Sequence, residues 1–133
     1  LPDLSFNINT ASRCIFAKEK IMNLINTHEK NQLTIISFNM NNLDASNAEA
    51  FRKQIRPILE KNKKIAIDMS TLQFVDSSGL GALLSCLRFC NEQESSLVLF
   101  GLQRTVTALF ELMRMHRVFN LFSSVEEIIG ATS

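Results

Sequence analysis

Between Ile65 and Leu84 the chain changes its hydrophobic period. Ile65-Ala66-Ile67-Asp68-Met69 is an apolar run broken by one acid; Leu80, Leu83, Leu84, Leu87 and Cys90 then recur every three or four residues. The first pattern suits a strand buried on both faces, the second one stripe of a helix. Upstream, Leu33–Phe38 is followed by Ala48, Phe51, Ile55, Ile58 and Leu59 at helical spacing. Downstream, Ser96–Phe100 stops at Gly101, and Gln103 to Met115 turns Val106, Leu109, Phe110 and Met113 inward. Strands that alternate with helices need crossover connections, and crossovers make strands parallel.

The ends complete this pattern. Ile21–Asn26 and Leu33–Phe38 read as an antiparallel hairpin, with the polar stretch His28–Gln32 as its turn. A polar loop over Asn39–Asp44 follows, and Ser46 with Glu49 has capping-box spacing at the start of a helix. Pro57 falls inside that helix and predicts a kink or interruption. Lys61, Lys63 and Lys64 put positive charge at its end, which suits the helix dipole. Val118–Phe122 predicts a last strand, and Ser124 to Glu127 the cap of a final short helix. The fold class expected is α/β: a mixed, mostly parallel sheet with an N-terminal antiparallel hairpin and crossover helices.

A chain of 133 residues suits one domain able to bury its own core without disulfides or metal. Lys and Arg number 14 against 13 Asp and Glu, which lacks the basic excess of a dedicated nucleic-acid binder. Cys14, Cys86 and Cys90 leave an odd thiol and no CxxC, so a reducing, cytoplasmic setting fits. Cys86 and Cys90 share a helix face, and buried apolar thiols explain them better than zinc, whose remaining ligands are missing nearby. No run approaches the length of a membrane span, and the first residues lack the pattern of a signal peptide.

The junction itself, Phe74-Val75-Asp76-Ser77-Ser78-Gly79-Leu80-Gly81-Ala82-Leu83-Leu84, admits four interpretations. Asp76, Ser77 or Ser78 can cap the helix, with glycines permitting a tight turn. A phosphate cradle would need GxxxxGK[ST] or GxGxxG; the third glycine and the lysine are missing, and Asp76 would repel an anion. A serine nucleophile would need the GxSxG elbow and a paired histidine, and neither His28 nor His116 is so placed in sequence. Finally, a serine at an exposed strand-to-helix turn can itself receive a phosphate, which adds about 1.5 to 2 negative charges. Residue chemistry alone permits this last role without selecting it.

Ile65 to Leu84 resembles the STAS domain of bacterial anti-sigma factor antagonists. Asp68, Ser70, Asp76, Ser77, Gly79, Leu80 and Gly81 match the family pattern, as do Leu43-Asp44 followed by Arg52. At Asn41-Asn42 the family commonly has a glycine and a polar residue. The resemblance runs from about Met22 to Gly130. It implies that Ser77 is the phosphorylation target, with Ser78 as fallback, and that Asp44, Asp76, Ser77, Ser78, Gly79 and Leu80 form the partner-binding region. It further implies no catalytic residues and no cofactor. The implied partners are an anti-sigma factor that is also a serine kinase, bound in the unphosphorylated state, and a PP2C-like phosphatase. Asp68 is expected to support its loop, and Ser70 to supply a turn or cap hydroxyl.

Two other functions stay in view. A STAS subunit can dock on a membrane transport complex, and an enzyme could use Ser77 or Cys86, although no base or oxyanion arrangement is legible. Residues 1–21 fall outside the resemblance, with Met22 just before the first strand. They are expected to be an extension, by addition or by upstream translation. The alternative is a native extra strand or helix packed on the sheet, anchored by Phe6 or by Ile15 and Phe16. The domain proper is expected over residues 22–133.

Overall fold

The structure is a computed structural model, and it describes residues 23–132. The expected extension, Cys14 and the anchors Phe6, Ile15 and Phe16 lie outside the described residues. The elements, in order, are β1 (Ile25–Lys30), β2 (Leu33–Phe38), β3 (Asn42–Leu43), α1 (Ala48–Lys61), β4 (Lys64–Asp68), β5 (Phe74–Val75), α2 (Ser77–Glu92), β6 (Ser96–Phe100), α3 (Arg104–Leu112), β7 (Leu121–Phe122) and α4 (Val125–Thr132). The main sheet has the order β1-β2-β4-β6-β7. β1 is antiparallel to β2, and every other pairing in it is parallel. This is the expected mixed α/β sheet. Among the described residues, no helix is long and apolar enough to cross a membrane.

Alternation along the strands divides the core. Ile36, Phe38, Ile65, Ile67, Leu97 and Leu99 face the side covered by α1, α2 and α3, where Phe51, Ile55, Leu59, Leu83, Cys86, Val106 and Phe110 pack. Leu33, Ile35, Ala66, Val98 and Phe100 face the other side and meet Ile128 of α4. Strands packed on both faces must be apolar at consecutive positions, which is why β2, β4 and β6 lack a polar face.

Several local expectations change. β1 begins at Ile25 and runs through His28, Glu29 and Lys30, which were assigned to the turn. These residues are exposed on an edge strand, so their polarity mimics a loop. The turn is Asn31-Gln32, with φ values of 53° and 67°, the left-handed pair that a two-residue hairpin demands. Helix α1 starts after Asn47, not Ser46, with no side-chain cap bond. It also passes Pro57 without interruption. Pro57 and Lys53, four residues before it, are both exposed, so the backbone acceptor left over there lies on the solvent side.

At the other end, α3 stops at Leu112 because Arg114 takes a left-handed conformation, φ 61°, and a short 3-10 turn spans Met115–Arg117. Met113 is therefore 47% exposed and does not point inward. Strand β7 contains only Leu121–Phe122; Val118, expected in it, is exposed. The final helix does begin as expected, with the Glu127 N–H donating to Ser124 Oγ at 3.3 Å.

A second, two-stranded sheet was not anticipated. β3 and β5 pair in parallel, Asn42 with Phe74 and Leu43 with Val75. Leu43 and Val75 are fully buried. This small sheet delivers the chain directly into α2, and the first turn of α2 lies hard against it. A Cβ placed on Gly79 would sit 2.3 Å from the Leu43 carbonyl oxygen and 2.9 Å from Val75 Cγ1. One turn later, a Cβ on Gly81 would meet only Arg52 Nη2, at 3.6 Å.

The two glycines therefore answer oppositely to alanine. Gly79→Ala forces backbone to move and is expected to cost about 3 kcal/mol, the upper range for overpacking. Gly81→Ala makes ordinary contact and gains helix propensity, so it is expected to stabilise by up to about 1 kcal/mol. Urea unfolding of both variants measures this; equal effects would refute the close approach at Gly79.

A pH dependence follows from Cys86. Burial first, and then the neighbouring Cys90, push its thiol from 9.0 up to about 12, with Arg52 and Arg56 partly opposing. Between these values the unfolded thiol ionises while the folded one stays protonated. The unfolded state then binds fewer protons, so stability is intact below about pH 9 and declines as pH rises toward 12. Cys86→Val is expected to flatten this part of the stability–pH curve, measured by denaturant titration at several pH values.

Candidate functional site

The start of α2 is built around one carboxylate. Asp76 occupies the N-cap position with extended backbone, and its Oδ1 accepts from the Gly79 N–H at 2.9 Å. A short acid serves well here because it reaches the orphan N–H groups of the first turn and its charge complements the helix dipole. Its other oxygen, Oδ2, accepts from the Ala45 N–H at 3.2 Å. The Asp76 N–H donates to the Leu43 carbonyl at 3.1 Å. Asp76 thus clamps the N-terminus of α2 to the loop between β3 and α1.

That loop is organised by its own side chains. Asp44 Oδ1 accepts from the Ser46 N–H at 3.0 Å and the Ser46 hydroxyl at 2.6 Å. Asn47 folds back, its Oδ1 accepting from the Asp44 N–H and its Nδ2 donating to the Asn42 carbonyl. Ser46, expected to cap α1, instead bonds Asp44 within the loop that receives Asp76. Asn42, at the point of departure from the family pattern, is held in β3 by its pairing with Phe74.

Ser77 is the first residue of α2 and is exposed; Ser78 and Asp76 are half-buried. Asp44, across the clamp, is also half-buried. These four candidates are brought to one surface. Gly79 and Leu80 lie beneath it: Leu80 is only 5% exposed, and Gly79 packs on β3. Their place is to seat the turn from below.

Asp68 and Ser70 shape the adjacent loop. Asp68 Oδ1 accepts from the Ser70 N–H at 2.9 Å, so Asp68 supports the loop as expected. Ser70 contributes its carbonyl, which accepts from Gln103 Nε2 at 2.7 Å.

Folding brings residues of α1 beside Ser77. An open groove of about 280 Å³ is lined by Ala45, Ala48, Glu49, Arg52, Ser77, Ser78 and Gly81. Ser77 and Gly81 are four residues apart, hence one above the other on a helix. That spacing was legible; the facing residues from α1 were not. Phe74 is also 52% exposed, two residues before Asp76. Cys86 is 3% exposed and its thiol stays protonated, a poor state for a nucleophile. Among the described residues, no three His, Cys, Asp or Glu side chains gather as a metal site would require.

Comparison with known proteins places this geometry. An anti-sigma-B factor antagonist of Listeria monocytogenes is 29% identical over 66 residues, which are 50% of this chain and 58% of the relative. The chain thus matches under two-thirds of that relative's length. Among solved structures, a STAS domain protein described as an anti-sigma-factor antagonist from Planctomyces limnophilus superposes with a TM-score of 0.75 at 19% identity, covering 85% of this chain and 100% of that one. The phosphorylated form of SpoIIAA, a Bacillus cell fate determinant, gives 0.61 at 20% identity, covering 82% and 99%. The fold is also that of a sulfate transporter family protein from Wolinella succinogenes, with a TM-score of 0.61 at 13% identity over 73% of this chain and 81% of that one. The STAS domain model matches residues 24–128, which take in both sheets, the clamp and the groove, and the chain belongs to the STAS domain family.

Proposed function

We propose that this protein is an anti-sigma factor antagonist, a binding module switched by phosphorylation of Ser77. One observation carries this role: the Ser77 hydroxyl stands exposed at the first position of α2, on a turn immobilised by the Asp76 clamp. The match to an anti-sigma-B factor antagonist and the fold shared with a phosphorylated relative support it. The docking surface comprises Asp44, Asp76, Ser77 and Ser78, seated on Gly79 and Leu80. Its partner is an anti-sigma factor with serine kinase activity, and a PP2C-like phosphatase reverses the modification. The protein is a substrate and binding partner in this scheme, not an enzyme.

In the modifying step Ser77 Oγ attacks the γ-phosphorus of ATP held by the kinase. The O–P bond forms as the bond to ADP breaks, and the hydroxyl proton passes to a base on the kinase. The product places a dianion beside Asp76 and Asp44. On a docked, desolvated face, like charges cost several kcal/mol, and about 1.4 kcal/mol already changes affinity tenfold. No refolding is needed, because the modified atom lies outside the core.

A second role, docking as a STAS subunit of a membrane transport complex, draws on the fold shared with the sulfate transporter family protein. A pull-down against defined partners separates the two: a small ATP-binding kinase supports the first, a transporter subunit the second.

Incubation with candidate small kinases and ATP, followed by mapping of the modified residue, tests the proposal. Label is expected on Ser77. Ser77→Ala should retain kinase binding within about twofold while losing the label; stoichiometric label on that variant would move the acceptor to Ser78 or elsewhere. Phosphorylated protein is expected to bind the kinase at least about tenfold more weakly, and equal affinity would refute the switch.

A further inference from the structure

The groove beside Ser77 holds a cation suited to the modified state. Arg52 projects from α1 toward α2, and its Nη2 lies 3.6 Å from where a Gly81 Cβ would stand. Gly81 is one helical turn beyond Ser77, so the guanidinium sits over the same helix face as the Ser77 side chain. The missing side chain at Gly81 leaves open space between them, and Ser77, Arg52 and Gly81 line that space together. Arg52 is exposed, and among the described residues no ion pair involves it.

We propose that Arg52 receives the phosphoryl group of phosphorylated Ser77, drawing it back across the α1–α2 groove. This rests on Ser77 being the modified residue and concerns how the modified state is held. A phosphoryl group offers three acceptor oxygens, and an arginine fork can take two of them at once. Other charges face the same place. Glu49 lines the groove and Asp76 stands next in sequence, both opposing the phosphate; Asp44 lies behind the clamp. Asp76 is already committed to the N–H groups of Gly79 and Ala45, and Asp44 to Ser46. Arg52 is therefore the cation that the groove sets against these acids. The switched-off state becomes a defined surface, its phosphate lying along the groove and Arg52 no longer available to a partner.

The test uses the full chain with phosphoserine installed at position 77 by genetic encoding, so it does not depend on any kinase. Phosphorus NMR from pH 4 to 8 follows the second phosphate ionisation, ordinarily near 6. A held phosphate titrates lower than in the heat-unfolded protein or a free phosphoserine peptide. Arg52→Gln is expected to raise the value by about half a unit or more, about threefold in proton affinity; Arg52→Lys recovers part of that, lacking the fork. Glu49→Gln should move it the opposite way. Thermal unfolding of each variant verifies folding, which an exposed arginine should leave unchanged. Identical titration of the unsubstituted protein and Arg52→Gln would overturn the proposal, as would a full shift for Arg52→Lys equal to that of Arg52→Gln. Failure of kinases to label Ser77 would instead overturn the switch and leave this result standing.

Discussion

The carboxylate of Asp76 accepts hydrogen bonds from two pieces of chain that are distant in sequence, and the site depends on that pair of bonds. One oxygen satisfies the first turn of α2, and the other holds the loop entering α1. Each bond alone is ordinary; together they fix where the N-termini of α1 and α2 lie relative to each other. The Leu43 carbonyl beneath them accepts from the Asp76 N–H and excludes any side chain at Gly79. Polar bonds above and close backbone packing below thus specify the same geometry. Such agreement between independent terms gives a turn one conformation.

This explains how an exposed serine at the edge of an open groove can hold a fixed position. Ser77 need not be held by its own bonds, because its backbone is the first helical residue after a clamped cap. Rigidity comes from Asp76, Gly79 and Leu80, and exposure comes from the direction of the helix. The proposed phosphate on Ser77 would add its charge at this exposed position, above the buried Gly79 and Leu80.

Much of the architecture was visible in periodicity, and what was hidden has common causes. β2, β4, β6 and the helices between them appear as apolar runs and stripes because burial on both sheet faces leaves no alternative pattern. β1 misled because an edge strand exposed along His28, Glu29 and Lys30 carries the polarity of a turn. β3 and β5 were too short for any period, and their pairing links residues more than thirty positions apart. Met113 misled because the helical stripe was extended past Leu112, where Arg114 turns left-handed. α1 continues past Pro57 without interruption because its side of the helix faces water.

Chain order alone determined that strands and helices alternate, that Asp76 and Ser77 stand where one gives way to the other, and that Cys86 and Cys90 share an inward face. These are local properties, set by spacing along a few turns of backbone. Only the tertiary structure decided that Ala45 meets Asp76, that Leu43 demands glycine at position 79, and that Arg52 shares a groove with Ser77. Those contacts join segments from different elements. Their distances follow from how α1, α2 and the small sheet pack, which no spacing within one segment encodes.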